Sequence, residues 1–215
     1  DERNSLVGSE MCIRDSIGLA TADESISMPR LEFTARTSPR SVGHLIMYLQ
    51  DFLDKEAAVR AEYPWAARFV MGLPLPSWQR QPCWTTEQKE RFIGSMWCGV
   101  DIGSYLVNDI YEFVNPKGTP NIMREHSMIL LDGQQRCMAI EDYLLDRLKS
   151  PDKNGVPRKW SELPAPERRH FKHGIIFAMG SVNTFDDALL RRIYDLRNFG
   201  GVAHTEEQRA SPNVS

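Results

Sequence analysis

A chain of 215 residues, 41% hydrophobic and 26% charged, is long enough to bury its own core and short enough for one main domain. Its formal net charge of −3 excludes the strongly basic proteins that coat nucleic acid by overall charge, although a local basic patch is compatible with it. No stretch reaches the roughly 20 consecutive apolar residues of a membrane span and none reads as a cleavable signal peptide, so a soluble, cytoplasmic protein with no membrane partner is expected.

Residues 1–16 differ in character from the rest of the chain. Ser5 to Ser16 resembles a peptide produced when adapter sequence is read through, so 1–16 are expected to be an assembly scar, or else a disordered leader. Without Asp1, Glu2, Glu10, Asp15, Arg3 and Arg14 the net charge moves from −3 to −1. Ser38-Pro39 reads as a helix opening, and Val42, Leu45, Ile46, Leu49, Phe52 and Leu53 recur at helical spacing, which predicts a helix over about 39–60. Gly72 to Trp84 holds three prolines and reads as an extended surface segment. Thr85-Thr-Glu-Gln88 is a capping box that starts a helix with Phe92, Ile93, Met96 and Trp97 on its buried face and Gly99 as its stop.

Tyr105 to Val114 is rich in β-branched and aromatic residues and predicts one strand; Ser127 to Leu131 predicts a buried one. That run breaks at Asp132-Gly133 and resumes as a helix carrying Met138, Tyr143, Leu144, Leu145 and Leu148. Four prolines between Ser150 and Pro166 mark a connection or insertion, Gly174 to Met179 predicts a strand, and Thr184 to Asp187 opens a helix that ends at Asn198-Phe-Gly-Gly201. Residues 209–215 form a polar tail, and the chain is expected to be the front part of a longer protein. The order of elements predicts a mixed α/β or α+β domain.

The most informative segment runs from Met128 to Ile140. A strand that turns on glycine into a helix leaves the first-turn amides of that helix unpaired and pointing outward, a ready site for anions and for phosphate above all. Gly133 lets a ligand approach the backbone, Gln134 and Gln135 add neutral donors and acceptors, Arg136 offers a planar fork, and Asp132 can hold a divalent cation or position a water. The plainer reading is that Asp132 caps the helix and Gly133 makes the turn. A second cluster, Trp78-Gln79-Arg80 with Trp84, suits anion contact or stacking of the arginine on an aromatic face, or is simply a surface arginine shielding a tryptophan. A third, Asn198 to Thr205, is either a helix C-cap and turn or a backbone-lined pocket at Gly200 and Gly201.

Gln79-Arg80 with Trp84-Thr-x-Glu87-Gln88-Lys89, then Leu131-Asp-Gly-Gln-Gln-Arg136, then Asn198-x-Gly-Gly201 together resemble the N-terminal domain of GmrSD-type restriction endonucleases, over roughly 38–208. The resemblance implies a single α+β domain of ParB/sulfiredoxin-like fold, with several helices around a small mixed sheet. It implies a nucleotide-binding, NTP-hydrolysing regulatory module of a modification-dependent DNA restriction system. Asp132, Gln134, Gln135 and Arg136 would be catalytic. Gln79, Arg80, Gly133, Asn198, Gly200 and Gly201 would bind the nucleotide, and Asp132 would be the Mg²⁺ ligand. NTP and Mg²⁺ are the implied cofactors; DNA and a nuclease domain or subunit are the implied partners. The rival is a non-catalytic module using the same loop to grip DNA or a protein. The chain departs from the family pattern after Thr205, where Gln208 takes the place of the usual glutamate and Glu207 comes one residue early. No His–Asn–His nuclease motif is present.

Weaker candidates are few. His170-x-x-His173 places two imidazoles near one another but lacks a third metal ligand. Cys12, Cys83, Cys98 and Cys137 show no CxxC pairing and read as reduced thiols. Cys137 follows Arg136 and is expected to face inward, which argues against thiol chemistry in the loop. No nucleophile elbow supports a serine hydrolase.

Overall fold

The computed structural model describes residues 35–114 and 121–199. At its centre is a four-stranded mixed sheet in the order β1 (Arg36–Ser38), β10 (Ala178–Val182), β4 (Ser104–Asn108), β7 (Leu130–Asp132). β4 and β10 are parallel, with Tyr105 beside Met179 and Val107 beside Ser181; the two outer pairs are antiparallel. Three two-stranded hairpins flank it: β2 (Arg68–Val70) with β3 (Leu73–Leu75), β5 (Phe113–Val114) with β6 (Ile122–Met123), and β8 (Ser150–Pro151) with β9 (Pro157–Arg158). Five helices complete the described residues: α1 (Val42–Glu62), α2 (Thr86–Trp97), α3 (Gln134–Leu144), α4 (Ala165–His173) and α5 (Asp187–Phe199). The fold is α+β. None of the described helices is long and apolar enough to cross a membrane.

Tyr105, Leu106, Val107 and Asn108 are all buried, the mark of a central strand covered on both faces. Asn108 is tolerated there because its polar atoms are matched: Nδ2 donates to the carbonyls of His126 (2.8 Å) and Thr184 (2.7 Å), and Oδ1 accepts from the Thr184 amide (3.1 Å). The core continues through Leu45 and Leu49 of α1, Ile93 and Met96 of α2, Cys137 and Ile140 of α3, and Phe171 of α4.

Several expected boundaries move. Ser38-Pro39 does not open α1, because residues 36–38 pair with β10 as an edge strand, and Ser41 takes the N-cap position instead. α1 keeps Val42, Leu45 and Leu49 buried, but its helical backbone breaks at Lys55 (φ −134°, ψ 29°), and Leu53 is exposed. The strand expected over 105–114 stops at Asn108, where the chain leaves the sheet before re-forming as β5. The strand expected over 174–179 begins only at Ala178; Ile175 and Phe177 are buried ahead of it, and their backbones bond to Val42 and Arg40. The proline-marked connection over 150–166 contains β8, β9 and a 3₁₀ turn (Trp160–Glu162), and its last prolines start α4, where a missing amide hydrogen costs nothing. The capping box at Thr85 forms: its Oγ1 accepts from the Gln88 amide (3.3 Å), and its own amide donates to Gln88 Oε1 (2.8 Å). Ile93 and Met96 are fully buried, while Phe92 and Trp97 are half-buried. Residues 1–16 and 209–215 lie outside the described residues.

Candidate functional site

β7 ends at Asp132, Gly133 turns the backbone through φ +94°, and α3 starts at Gln134. Gly133 is the N-cap and offers no side chain, so the first-turn amides of α3 have no side-chain cap. Asp132 does not supply one. Its Oδ2 accepts instead from Arg197 Nε on α5 (2.8 Å) and lies 3.6 Å from Arg136 Nη2. The geometry therefore leaves the helix end open, and the carboxylate serves as a strap between β7 and α5.

The two glutamines after the turn are buried and oriented by different neighbours. Gln135 Oε1 accepts from the amides of Cys83 (3.3 Å) and Trp84 (3.2 Å), while its Nε2 is buried with no hydrogen-bond partner among the described residues. In the amide orientation that satisfies both ends, Gln134 Nε2 donates to the Arg80 carbonyl and Oε1 accepts from Arg68 Nη1, each at 3.2 Å. Arg136 turns inward. Its Nη2 donates to the Ser104 carbonyl (2.7 Å) and Nη1 to that of Ile102 (3.4 Å), so the expected phosphate fork is largely committed to the start of β4.

Gln79, 3% exposed, comes from the proline-rich segment and donates both Nε2 hydrogens, to the carbonyls of Leu130 (2.7 Å) and Leu131 (2.8 Å). This ties that segment to β7 and leaves Gln79 only an acceptor to present. Gln79→Leu is expected to lower stability by about 1–3 kcal/mol, because two buried carbonyls lose their donor. Urea unfolding checks it, and a change below about 0.5 kcal/mol would remove this role. Arg80 is exposed and has no ion-pair partner among the described residues. It does not cover Trp78. That ring is covered by Arg191, 5.0 Å from its centroid, and packs edge-on against Tyr194.

These segments meet in one cleft of about 160 Å³, lined by Gln79, Arg80, Trp84, the run Asp132 to Arg136, Tyr194 and Asn198. The fifty-odd residues between Gln79 and Asp132 are thus folded so that both border the same space. Asn198 donates from Nδ2 to the Tyr194 carbonyl (2.9 Å). Arg197 adds a bond to Ser104 Oγ (3.2 Å) and holds α5 against the cleft. Arg80, Arg136 and Arg197 against Asp132 leave a surplus of positive charge, which favours an anionic occupant. Tyr194 and Arg197 were not singled out by sequence; on an amphipathic helix they read as an apolar-face residue and a solvated cation. Gly200 and Gly201 lie outside the described residues.

No group of three or more His, Cys, Asp or Glu side chains among the described residues could hold a metal ion. His170 stacks on Trp97 (ring centroids 6.2 Å apart), which gives it a packing role. Cys137 is fully buried, and burial pushes its thiol well above the usual range, so it is no nucleophile.

The N-terminal domain model of the GmrSD restriction endonuclease matches residues 68–204. No curated protein and no solved structure matches the chain. The family match covers well over half the chain and takes in every segment that borders the cleft. The chain therefore belongs to the GmrSD restriction endonuclease N-terminal domain family and is a restriction-system module.

Proposed function

We propose that the cleft holds the phosphates of a nucleoside triphosphate and that the domain hydrolyses it, regulating cleavage of modified DNA by a nuclease domain or subunit. The observation that carries this reading is the open end of α3, which shares the cleft with the buried Nε2 of Gln135 and the guanidinium of Arg80, both without a partner among the described residues. At about 160 Å³ the cleft is smaller than the ~300 Å³ at which pockets enclose a drug-sized ligand, so it suits the phosphate end, with sugar and base outside.

Hydrolysis would work by positioning and charge stabilisation. The α3 amides, Gln135 Nε2 and Arg80 meet the developing charge on the phosphate oxygens. Gln79, with both amide hydrogens spent on β7, has an acceptor left to orient a water. Arg136 and Arg197 act by holding the loop and α5 in place. Among the described residues Asp132 accepts from Arg197 and belongs to no cluster of three metal-ligating side chains, so a Mg²⁺ ion would be held chiefly by the phosphates of the Mg–NTP substrate, with Asp132 as its one carboxylate contact. A ParB/sulfiredoxin-like ancestry and a cytoplasmic setting accord with this reading.

The test is phosphate release and calorimetric binding with Mg²⁺ and each of the four common NTPs. Arg80→Ala and Gln135→Glu are each expected to weaken binding at least about tenfold, with the melting temperature of Arg80→Ala unchanged. Gln135→Glu keeps the acceptor for Cys83 and Trp84 but replaces the free donor by an anion. Absence of both binding and release for every NTP would overturn the proposal. The cleft is small enough to grip a DNA phosphate instead, and that rival predicts salt-sensitive DNA binding weakened by Arg80→Ala.

A further inference from the structure

A cavity of about 280 Å³ lies between α1, the start of β3 and the β5–β6 hairpin, and shares no lining residue with the cleft. Its volume is just under the roughly 300 Å³ at which pockets enclose a drug-sized ligand, so it suits one small ion or group. Tyr48, Asp51, Phe52, Val59 and Glu62 recur at helical spacing, so a single face of α1 supplies one wall. Tyr63, Tyr111 and Phe113 bring the aromatic residues to five, and the rest of the wall is apolar.

The five rings are not equally free. Phe52 stacks on Phe69 (centroids 5.1 Å apart) and carries Arg60 5.4 Å from its centroid. Tyr48 packs edge-on against His44, and Tyr63 against Trp65. Tyr111 and Phe113 make no ring pair among the described residues and are 59% and 51% exposed. Theirs are the faces left for an occupant.

The charge on this wall has one sign. Asp51 and Glu62 line the cavity; no Lys, Arg or His does. Asp51 pairs with Lys55 (2.7 Å), whereas Glu62 has no ion-pair partner among the described residues. Arg60 is engaged by Glu56 (2.8 Å). Burial pushes the Tyr111 phenol up to about 12, and Tyr48 and Asp109 add to the rise. Burial also raises Tyr63, with Tyr111 and Glu62 adding to it. At Tyr48 the charge of Asp109 outweighs that of Arg40. Neutral phenols in a negative field favour a cation. A quaternary ammonium has no N–H to satisfy, so an aromatic and apolar wall costs it less desolvation than it costs a primary amine.

We propose that this cavity binds a small, free quaternary ammonium ion, with Tyr111 and Phe113 as its aromatic walls and Glu62 as its counter-charge. The site does not depend on the assignment of the nucleotide cleft. The experiment titrates the full chain by calorimetry with choline and with its neutral carbon isostere, in which a tert-butyl group replaces the trimethylammonium. Choline is expected to bind at least about tenfold more tightly than the isostere. Tyr111→Leu and Phe113→Leu keep apolar surface but lose the ring; each should weaken choline about threefold to tenfold and leave the isostere unchanged. Both side chains are more than half exposed, so the melting temperature should not move. Tyr111→Phe should retain choline binding. Glu62→Gln should weaken choline about threefold and reduce its salt dependence. Arg80→Ala, in the other cleft, should change nothing. Equal affinity for choline and the isostere, unchanged choline affinity in both leucine variants, or no choline binding would each overturn the proposal. A trimethyllysine peptide that binds more tightly than choline would overturn the free ion as the occupant.

Discussion

Gly133→Ala is expected to destabilise the domain by about 2–6 kcal/mol and to abolish the proposed nucleotide binding in the cleft. Two independent costs add. The backbone at Gly133 sits at φ +94°, where an L side chain costs about 1–3 kcal/mol. A Cβ there would also lie 2.9 Å from Tyr105 Cβ and 3.1 Å from Tyr105 Cα, closer than side chains pack, and relieving that overlap costs about 1–3 kcal/mol more. Tyr105 is fully buried in the central strand, so the movement falls on the loop and turns the α3 amides away from the cleft. For a domain of this size the melting temperature should fall by roughly 2–4 °C per kcal/mol, or about 4–24 °C in all. Gly99 provides the control: its φ is +71°, but nothing lies within 4 Å of the added Cβ. Gly99→Ala should show only the conformational part. Equal losses at the two positions would remove the clash with Tyr105 from the account.

Local signals were readable where the forces are local. The capping box at Thr85 and Gln88 involves four consecutive residues, and it forms as expected. The break at Asp132-Gly133 follows from an apolar run meeting a glycine, and strand and helix meet there. Long-range pairing overrode local signals elsewhere. Ser38-Pro39 carries a fair helix-opening pattern, yet Ser38 pairs with Met179 across 140 residues of chain, and nothing near residue 38 announces that partner. α4 was hidden because Pro164 and Pro166 read as loop, although proline at a helix start is favourable. The cleft shows the same division. The i,i+4 spacing of Asp132 and Arg136 makes their proximity legible, whereas the 65-residue separation of Asp132 and Arg197 does not. That Gln79 and Arg80 border the same space as Asp132 followed from the family resemblance, since no local pattern requires it. The inward turn of Arg136 was not legible at all. It depends on where the Ile102 and Ser104 carbonyls point after the chain has folded.

Arg136 therefore offers a sharper test than its place in the motif suggests. Arg136→Ala should cost about 2–4 kcal/mol in urea unfolding, because a charged donor to the Ser104 and Ile102 carbonyls is lost and Asp132 keeps only Arg197. Nucleotide affinity should fall at least about tenfold as the loop loosens. The informative variant is Arg136→Lys. An arginine acting on phosphate as a point charge would be replaced well by lysine. An arginine whose fork spans two carbonyls and a carboxylate would not, since one ammonium cannot reach all three with the same planar geometry. The structure predicts that Arg136→Lys recovers less than half of the lost stability and little of the lost affinity, and that stability and affinity fall together across the pair of variants. Full recovery of affinity by lysine, with stability still reduced, would mean that the positive charge itself contacts the phosphates and that the inward fork rearranges when the nucleotide binds.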